Sequence, residues 1–372
     1  MNHNWEYRQL GDICDIKTGK LDANAKCPNG KYPFFTCDAK PYKIDTYAFD
    51  EEAILISGNG SNVGHVHYYN GKFNAYQRTY VLSNIKHVIP HYLEIFLKGF
   101  LRPYIYNIKK GGCIPFITLP MLKNFPIPSP PHLLQEQIVA ELDQINALIT
   151  KNRELLSHLD SLAQSVFYDT FGDTITNPKG WEVYSLEECV SPDCSISYGI
   201  VQPGEDYVNG VPVVRPVDFT HSRFVSVNNL KCINPEISDS YKRTILCGNE
   251  ILICVRGTTG LVRLADMSLA GCNVTRGIVP LMFPATISRT YLYEYLKQDR
   301  PQDFIKYYTR GTTLKQINLS DLRKLPLLLP PLALQVEFAR KMDAIEAQKA
   351  KVETEIAELE TLRDARMDYW FA

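Results

Sequence analysis

Two long segments of the chain carry apolar residues three and four positions apart, the spacing of one helical face. One segment follows Pro130 and Pro131, and the other follows Pro330 and Pro331. A narrow stripe sustained over three or more heptads is more typical of a coiled coil than of a helix lying on a globular core. The stripe residues that we expect to pair the two helices are Ile138, Leu142, Ile145, Ile149 and Leu156, and Phe338, Met342, Ile345, Val352 and Ile356.

Two polar residues, Asn152 and Lys349, fall on these stripes. A polar residue at a seam costs stability and fixes register, which suits helices that must pair in one alignment. At 1.5 Å per residue, about 35 residues make a rod of roughly 50 Å, which is long for a compact domain. We therefore expect spacer helices. The alternative is a pair of ordinary helical hairpins or unrelated bundle helices.

Both helices belong to an internal duplication. Residues from 111 onward recur from 311 onward with no insertion, so that every pair is 200 positions apart. One offset held over about sixty positions is hard to obtain by chance. The repeated residues are Gly111, Ile117, Leu119, Leu122, Pro126, Pro130, Pro131, Gln135, Asp143, Ile145 and Phe171, matched by Gly311, Ile317, Leu319, Leu322, Pro326, Pro330, Pro331, Gln335, Asp343, Ile345 and Phe371.

The region before each long helix predicts a mixed, β-rich lobe. Residues 53–57 and 250–255 are apolar runs of strand length, and each leads into a glycine loop. Residues 91–98 and 289–298 predict a helix near the end of each lobe. The chain thus predicts an α+β fold in four parts, which are a lobe over 1–131, a helix over 132–172, a lobe over 173–331 and a helix over 332–372.

Charge is segregated between lobes and helices, although the whole chain carries a net charge of only −1. The first lobe has 15 Lys and Arg against 10 Asp and Glu, and the second has 17 against 16. The helical segments have 2 against 6 and 6 against 9. This pattern favours lobes that face a polyanion and helices that face protein or water.

The residue types exclude several other classes of protein. No apolar run is long enough for a membrane span and no secretory pattern is present, so we expect a cytoplasmic protein. Ten cysteines without a C-x-x-C pair predict thiols in a reducing compartment, and His65 with His67 is more typical of surface or core than of a metal site. We therefore expect no metal. Neither glycine loop has the spacing of a nucleotide-binding loop.

Basic and small polar residues recur at matching places in the two lobes, beside the glycine loops and before the repeat. Such residues position a protein on DNA phosphates, and arginine also reads guanine. The alternative for each of them is a solvated face. The predicted DNA contacts are Lys17, Lys20, Asn59, Ser61, Arg78, Lys109 and Lys110 in the first lobe, and Arg215, Arg256, Thr258, Arg276, Arg310, Thr313 and Lys315 in the second.

Two variable lobes, each ending in this glycine-to-Pro-Pro motif and a long helix, resemble the specificity subunit of type I restriction-modification systems. The resemblance rests on Gly111, Ile117, Leu122, Pro126, Pro130, Pro131 and Gln135 with their partners, and it covers essentially the whole chain. It implies that each lobe is a target recognition domain reading half of a split DNA sequence. It also implies that the helices pair as an antiparallel coiled coil with pseudo-twofold symmetry.

The resemblance further implies a subunit without catalysis or cofactors of its own. It would recruit two methyltransferase subunits, which bind S-adenosylmethionine, and a restriction subunit that uses ATP and Mg²⁺. The chain ends at Ala372, soon after Phe371, so we expect any C-terminal extension to be absent or very short. The DNA sequence read and its spacer length do not follow from the residues.

Two other classes of function fit these residues less well. A fused adenine methyltransferase needs an Asn-Pro-Pro-aromatic loop, and the Asn-Pro pairs at Asn177 and Asn234 lack the second proline. A coiled-coil adaptor that binds only protein has no evident need for two different loop-rich lobes. It remains the alternative to a DNA-binding subunit.

Overall fold

The computed structural model of the protein describes residues 5–108, 116–220, 222–312 and 314–371. Its contacts divide the chain into two compact units, Met1–Glu154 with Val352–Ala372, and Leu155–Lys351. Each unit therefore combines one lobe, part of the first long helix and part of the second. The domain limits given above stay a prediction.

The first unit contains a six-stranded sheet in the order β2-β7-β5-β6-β3-β4 and a ribbon of β1 with β8. The sheet is mixed, because β3 pairs parallel with β6 while its other pairs are antiparallel. The elements are β1 (Tyr7–Gln9), α1 (Leu10–Ile13), β2 (Asp15–Thr18), β3 (Tyr32–Phe35), β4 (Tyr42–Ile44), β5 (Phe49–Ser57), β6 (Val66–Ala75), β7 (Thr79–Ser83), α2 (Pro90–Ile108), α3 (Leu119–Lys123), β8 (Pro126–Pro128) and the start of α4 (His132–Phe171).

The second unit contains two three-stranded sheets, in the orders β13-β12-β15 and β11-β10-β14, and a ribbon of β9 with β16. Its elements are β9 (Glu182–Ser185), α5 (Leu186–Cys189), β10 (Val211–Val214), β11 (Lys231–Ile233), α6 (Pro235–Asp239), β12 (Ile251–Cys254), β13 (Val262–Leu264), β14 (Asn273–Val274), β15 (Ile278–Leu281), α7 (Arg289–Leu296), α8 (Asp299–Tyr308), α9 (Leu319–Leu322), β16 (Pro326–Leu329) and the start of α10 (Leu332–Phe371).

The predicted strands are confirmed, and burial on both faces explains their continuous apolar sequence. In β5, Ile54 and Ile56 pack in the core that includes α2, while Leu55 packs in a second cluster on the other face. In β12, Ile253 and Leu252 divide between two clusters in the same way. Successive side chains of a strand point to opposite faces, so an uninterrupted apolar run needs cover on both.

Both long helices begin directly after a Pro-Pro pair and contain 40 residues each, more than the roughly 35 expected. Their starts are fixed to the lobes by equivalent buried amides. The Gln135 side chain accepts from the Ile89 N–H at 2.8 Å and donates to the Pro130 carbonyl at 2.8 Å. Gln335 accepts from the Ser288 N–H at 2.9 Å and donates to Pro330 at 2.6 Å.

Within each unit the two helices contact one another in antiparallel direction. In the first unit, Arg366 donates to Glu141 at 2.9 Å and Arg153 pairs with Glu360 at 2.6 Å. Residue numbers therefore increase along one helix in the direction in which they decrease along the other. Lys349 pairs with Asp160 at 2.6 Å in the second unit. Supercoiling along the whole length stays a prediction.

Both predicted polar seam residues are satisfied by helix residues. The Asn152 amide donates to Glu355 at 3.4 Å. The largely buried Lys349 ammonium pairs with Glu346 at 2.9 Å as well as with Asp160. Glu346 lies on the same helix as Lys349, so it is the pair with Asp160 that favours one alignment of the two helices.

One expectation about the stripes needs correction, because their first turns do lie on globular cores. Ile138 and Leu142 belong to the core of the first lobe together with Phe371, and Phe338, Met342 and Ile345 belong to that of the second. The Pro-Pro turn and its buried glutamine hold each helix start against its lobe. Of the other stripe residues, Ile145, Ile149 and Val352 are buried, and Leu156 and Ile356 are half-buried.

Candidate nucleic-acid interface

The glycine loop of the first lobe is held between two neighbouring segments. The Gly58 N–H donates to the Arg78 carbonyl at 2.9 Å, and the Gly58 carbonyl accepts from the Ile117 N–H at 2.8 Å. A Cβ at Gly58 would lie 2.4 Å from the Arg78 oxygen, so only glycine fits. Asn59 follows and forms a backbone bridge with Phe116.

The second lobe builds its loop with the same bonds. The Val255 N–H donates to the Gly277 carbonyl at 2.8 Å, and the Val255 carbonyl accepts from the Ile317 N–H at 3.0 Å. Arg256 follows and bridges Gln316. Asn59 and Arg256 therefore occupy the same backbone position in the two lobes.

A second pair of equivalent positions lies in the turn between β6 and β7 and in the turn between β14 and β15. The Gln77 N–H donates to the Leu21 carbonyl at 2.9 Å, and the Arg276 N–H donates to the Ile200 carbonyl at 2.8 Å. Close backbone approach beside each bond requires a glycine. A Cβ on Gly19 or Gly199 would lie 1.8 or 2.1 Å from the nearest carbonyl oxygen of the neighbouring strand.

Arg78 and Arg276 both follow a glycine loop in the sequence and would be matched on that basis, but the structure places them one position apart. The backbone bonds match Arg276 with Gln77, and they match Arg78 with Gly277. Sequence distance from the glycine loop does not reveal these matches, because the two lobes have different numbers of residues between the glycine loop and the segment that is hydrogen-bonded to it. Hydrogen-bond register, not sequence distance, defines equivalence in a sheet.

The paired positions line two concave surfaces, which we call the lobe-one recess and the lobe-two recess. Their volumes are about 210 and 390 Å³. The lobe-one recess is lined by Thr18, Gly58, Asn59, Gln77, Arg78, Tyr80, Phe116 and Ile117. The lobe-two recess is lined by Ile200, Val201, Pro203, Arg215, Pro216, Val217, Arg256, Gly257, Thr275, Arg276, Gly277 and Leu314.

The family model for the type I restriction modification DNA specificity domain matches the chain twice, over residues 2–159 and 178–361. These two matches cover most of the sequence and follow the internal duplication. The chain belongs to this family. Members of the family are specificity subunits, so the chain is a recognition subunit and not an enzyme.

Known proteins that match most of the chain agree with this membership. The chain is 26% identical to the type I restriction enzyme EcoDI specificity subunit of Escherichia coli, over 95% of this chain and 83% of that protein. It is 24% identical to a putative type I specificity subunit of Mycoplasma pneumoniae, over 97% and 95%. The crystal structure of a type I restriction-modification S subunit from M. genitalium matches 98% of this chain and 96% of its own, with 17% identity and a TM-score of 0.61, and supports the fold.

The predicted contact residues of this specificity subunit fall mainly in and beside the recesses. Asn59 and Arg78 line the first, and Arg215, Arg256 and Arg276 line the second. The exposed residues beside the recesses or on the segments next to them are Lys17, Lys20, Ser61, Thr258, Arg310 and Lys315. The predicted contacts Lys109, Lys110 and Thr313 lie outside the described residues, as does Gly111 of the repeated motif. Contact with DNA stays a prediction for all of them.

The three arginines of the lobe-two recess are not equivalent. The Arg215 guanidinium donates to Asp218 at 3.1 and 2.8 Å, and these bonds raise its pKa. Arg276 stacks over the Tyr198 ring with 5.6 Å to the centroid. Across the described part of the chain, no hydrogen bond or ion pair uses the Arg256 or Arg276 guanidinium. Those two cations are therefore available to a ligand.

In the lobe-one recess the polar side chains are mostly neutral. The Cys37 thiol donates to Asn59 Oδ1 at 2.9 Å and orients its amide. The Tyr80 hydroxyl donates to the Ile117 carbonyl at 3.0 Å, and burial raises the pKa of Tyr80. Gln77 is exposed at the rim. Arg78 supplies the one cation among these lining residues.

Sequence reasoning missed Gln77 as a recess residue, and it missed Tyr198 as the ring beneath the Arg276 guanidinium. The signal that could have revealed Gln77 is the pair of glycines Gly19 and Gly199, which occur early in the two lobes. Each glycine packs against the strand that precedes the matched position, so aligning the glycines also aligns those strands. Among the described residues, no group of three or more His, Cys, Asp or Glu side chains is arranged to hold a metal ion. No helix there combines the length and hydrophobicity that a bilayer span requires.

Proposed function

We propose that this specificity subunit reads a bipartite double-stranded DNA target, with one recess on each half of the sequence. The observation that carries the proposal is the pair of recesses themselves. One duplicated backbone presents different polar side chains at equivalent positions, as is expected of two reading surfaces built on one scaffold.

Charge supports the same function. Arg256 and Arg276 have donors that no group in the described chain occupies. Arg78 lines the first recess, and the exposed lysines near Thr18 lie beside it. Basic groups of this kind position a protein on phosphates and steer it to DNA. The acidic long helices suit contact with protein rather than with a polyanion.

The partners follow from membership in a type I system. We propose that the chain recruits two methyltransferase subunits, which would hold S-adenosylmethionine, and a restriction subunit, which would use ATP and Mg²⁺. The chain itself would need no cofactor. Nine described cysteines are free thiols, which supports action in the reducing cytoplasm, while Cys113 lies outside the described residues.

The test is selection of bound duplexes from a random pool by the chain, alone and with its cognate methyltransferase subunit, at two salt concentrations. We expect enrichment of two short blocks separated by a fixed gap. A steep dependence on salt without any motif would leave phosphate binding only and would contradict sequence reading. Failure to bind DNA even with the partner would favour the protein-binding adaptor.

A further inference from the structure

The two recesses differ in chemistry at their matched positions. The lobe-one recess carries amides at both, Asn59 and Gln77, and the lobe-two recess carries guanidinium groups at both, Arg256 and Arg276. The backbone bonds that define these matches are the same in each lobe. The two lobes therefore share the local backbone structure at these positions and differ in the side chains that it carries.

A phosphate-binding role does not explain this exchange. Phosphates are identical along both halves of any target, so positions that contact them gain nothing from changing two cations into two neutral amides. Positions that read base edges are expected to differ, because the two halves of a target present different bases. The matched positions thus have the character of base readers.

The donor and acceptor patterns of the bases assign each recess. Adenine presents an N7 acceptor and an N6 donor in the major groove, which an amide satisfies with its N–H and its carbonyl oxygen. Guanine presents two acceptors, N7 and O6, which a guanidinium satisfies with two N–H groups. A guanidinium placed on adenine would instead direct a donor at the N6 donor.

We propose that the first lobe reads an A·T pair through Asn59 and Gln77, and that the second lobe reads a G·C pair through Arg256 and Arg276. The proposal rests on the proposed function and specifies its substrate. The Cys37 thiol fixes the Asn59 amide, and the Tyr198 ring supports the Arg276 guanidinium. Arg78, whose counterpart is Gly277, contacts the DNA backbone.

The experiment exchanges the readers one at a time in the full chain bound to its cognate methyltransferase subunit. Duplexes are selected from a random pool by the wild type, Gln77→Arg and Arg276→Gln. We expect the wild type to select a bipartite motif with A·T in one half and G·C in the other. Gln77→Arg should replace the A·T preference by G·C in one half only, and Arg276→Gln should weaken the G·C preference in the other half by about 5- to 150-fold.

Two conservative variants separate base reading from charge. Arg276→Lys keeps the positive charge but loses the bidentate fork, so it should reduce the guanine preference while it keeps the salt dependence of binding. Arg78→Lys should leave the base preference of the first half unchanged. A change of base identity with Arg78→Lys, together with none for Gln77→Arg, would overturn the assignment to the amides.

The outcomes distinguish this inference from the proposed function. If the wild type selects a bipartite motif and both exchange variants select the same bases as the wild type, the inference is wrong and the function stands. If the wild type selects no bipartite motif, both are wrong. Melting curves identify a misfolded variant. Should Arg276→Gln fail to fold, Gln77→Arg decides the matter alone, because the Gln77 side chain is exposed.

Discussion

Gln135 and Gln335 make the same pair of hydrogen bonds in the two units. Each buried amide accepts from the N–H of the residue before a lobe helix and donates to the first proline of the Pro-Pro pair. A repeated glutamine, five residues after a repeated proline, thus joins a lobe to the start of its long helix. The duplication preserved this joint although it altered the lobes.

Replacing Gln135 with leucine should destabilise the first unit. The change leaves the Ile89 N–H and the Pro130 carbonyl without their partner, at a cost of about 1 to 3 kcal/mol in the free energy of unfolding. Urea denaturation of Gln135→Leu and Gln335→Leu measures it, and the two losses should be similar. Glu136→Gln, on the exposed neighbour, is the matched control. Wild-type midpoints for both leucine variants would show that the amides are dispensable.

His91 should make the stability of the first unit depend on pH. Burial opposes its charge, but hydrogen bonds to Glu94 at 2.8 Å and Asp143 at 2.9 Å outweigh burial and raise its pKa above 6.5. A raised folded pKa gives stabilisation that is complete below 6.5 and is lost as pH rises through the folded value. The stability difference between wild type and His91→Gln should therefore shrink above pH 6.5.

The second unit supplies the control for that titration. Asp343, the counterpart of Asp143, pairs with Arg223 at 3.1 Å, and an arginine keeps its charge across this pH range. The loss in Arg223→Gln should be independent of pH between about 5.5 and 8. Equal pH profiles for His91→Gln and the wild type would remove His91 as the titrating group.

Substitution of Arg256 should affect DNA binding, whereas substitution of Arg215 should affect stability. Arg256→Ala should reduce affinity for the selected duplex by about 1 to 3 kcal/mol and leave the melting temperature unchanged. Arg215→Ala should cost up to about 1 kcal/mol of stability, because Arg215 braces a loop through Asp218. Fluorescence anisotropy and thermal melts measure the two effects. Unchanged affinity and sequence preference for Arg256→Ala would exclude it as a base contact.

Aspartate at Ile145 or Ile345 should lower stability severely. Both side chains are buried, with 7% and 8% exposure, so either carboxylate would lose hydration without gaining a partner. The expected cost is about 3 to 5 kcal/mol, read from the urea midpoint. Glu358→Gln, at an exposed position of α10, is the control. Midpoints equal to the parent would contradict a buried seam at these residues.

The sequence predicted the helices, the duplication and the β-rich lobes because those features have a period or a constant offset. Residues such as Ile54 and Ile253 also lie in apolar runs that indicate strands without any alignment. The match of Gln77 with Arg276 was missed, since it depends on backbone bonds between segments that have different spacings in the two lobes. The role of Ile138 and Leu142 in a lobe core was missed because an apolar stripe predicts a buried helix face but does not identify the element that packs against it.

Phe371 has a consequence for biosynthesis. Its ring packs in the core of the first lobe, 5.6 Å from Tyr92, 5.2 Å from Phe96 and 5.6 Å from Phe100 between centroids. The N-terminal lobe therefore emerges from the ribosome early but completes its core only after Phe371 has been translated. Phe171, by contrast, is already made when its neighbours Tyr291 and Phe338 appear. During translation, the second unit can mature first.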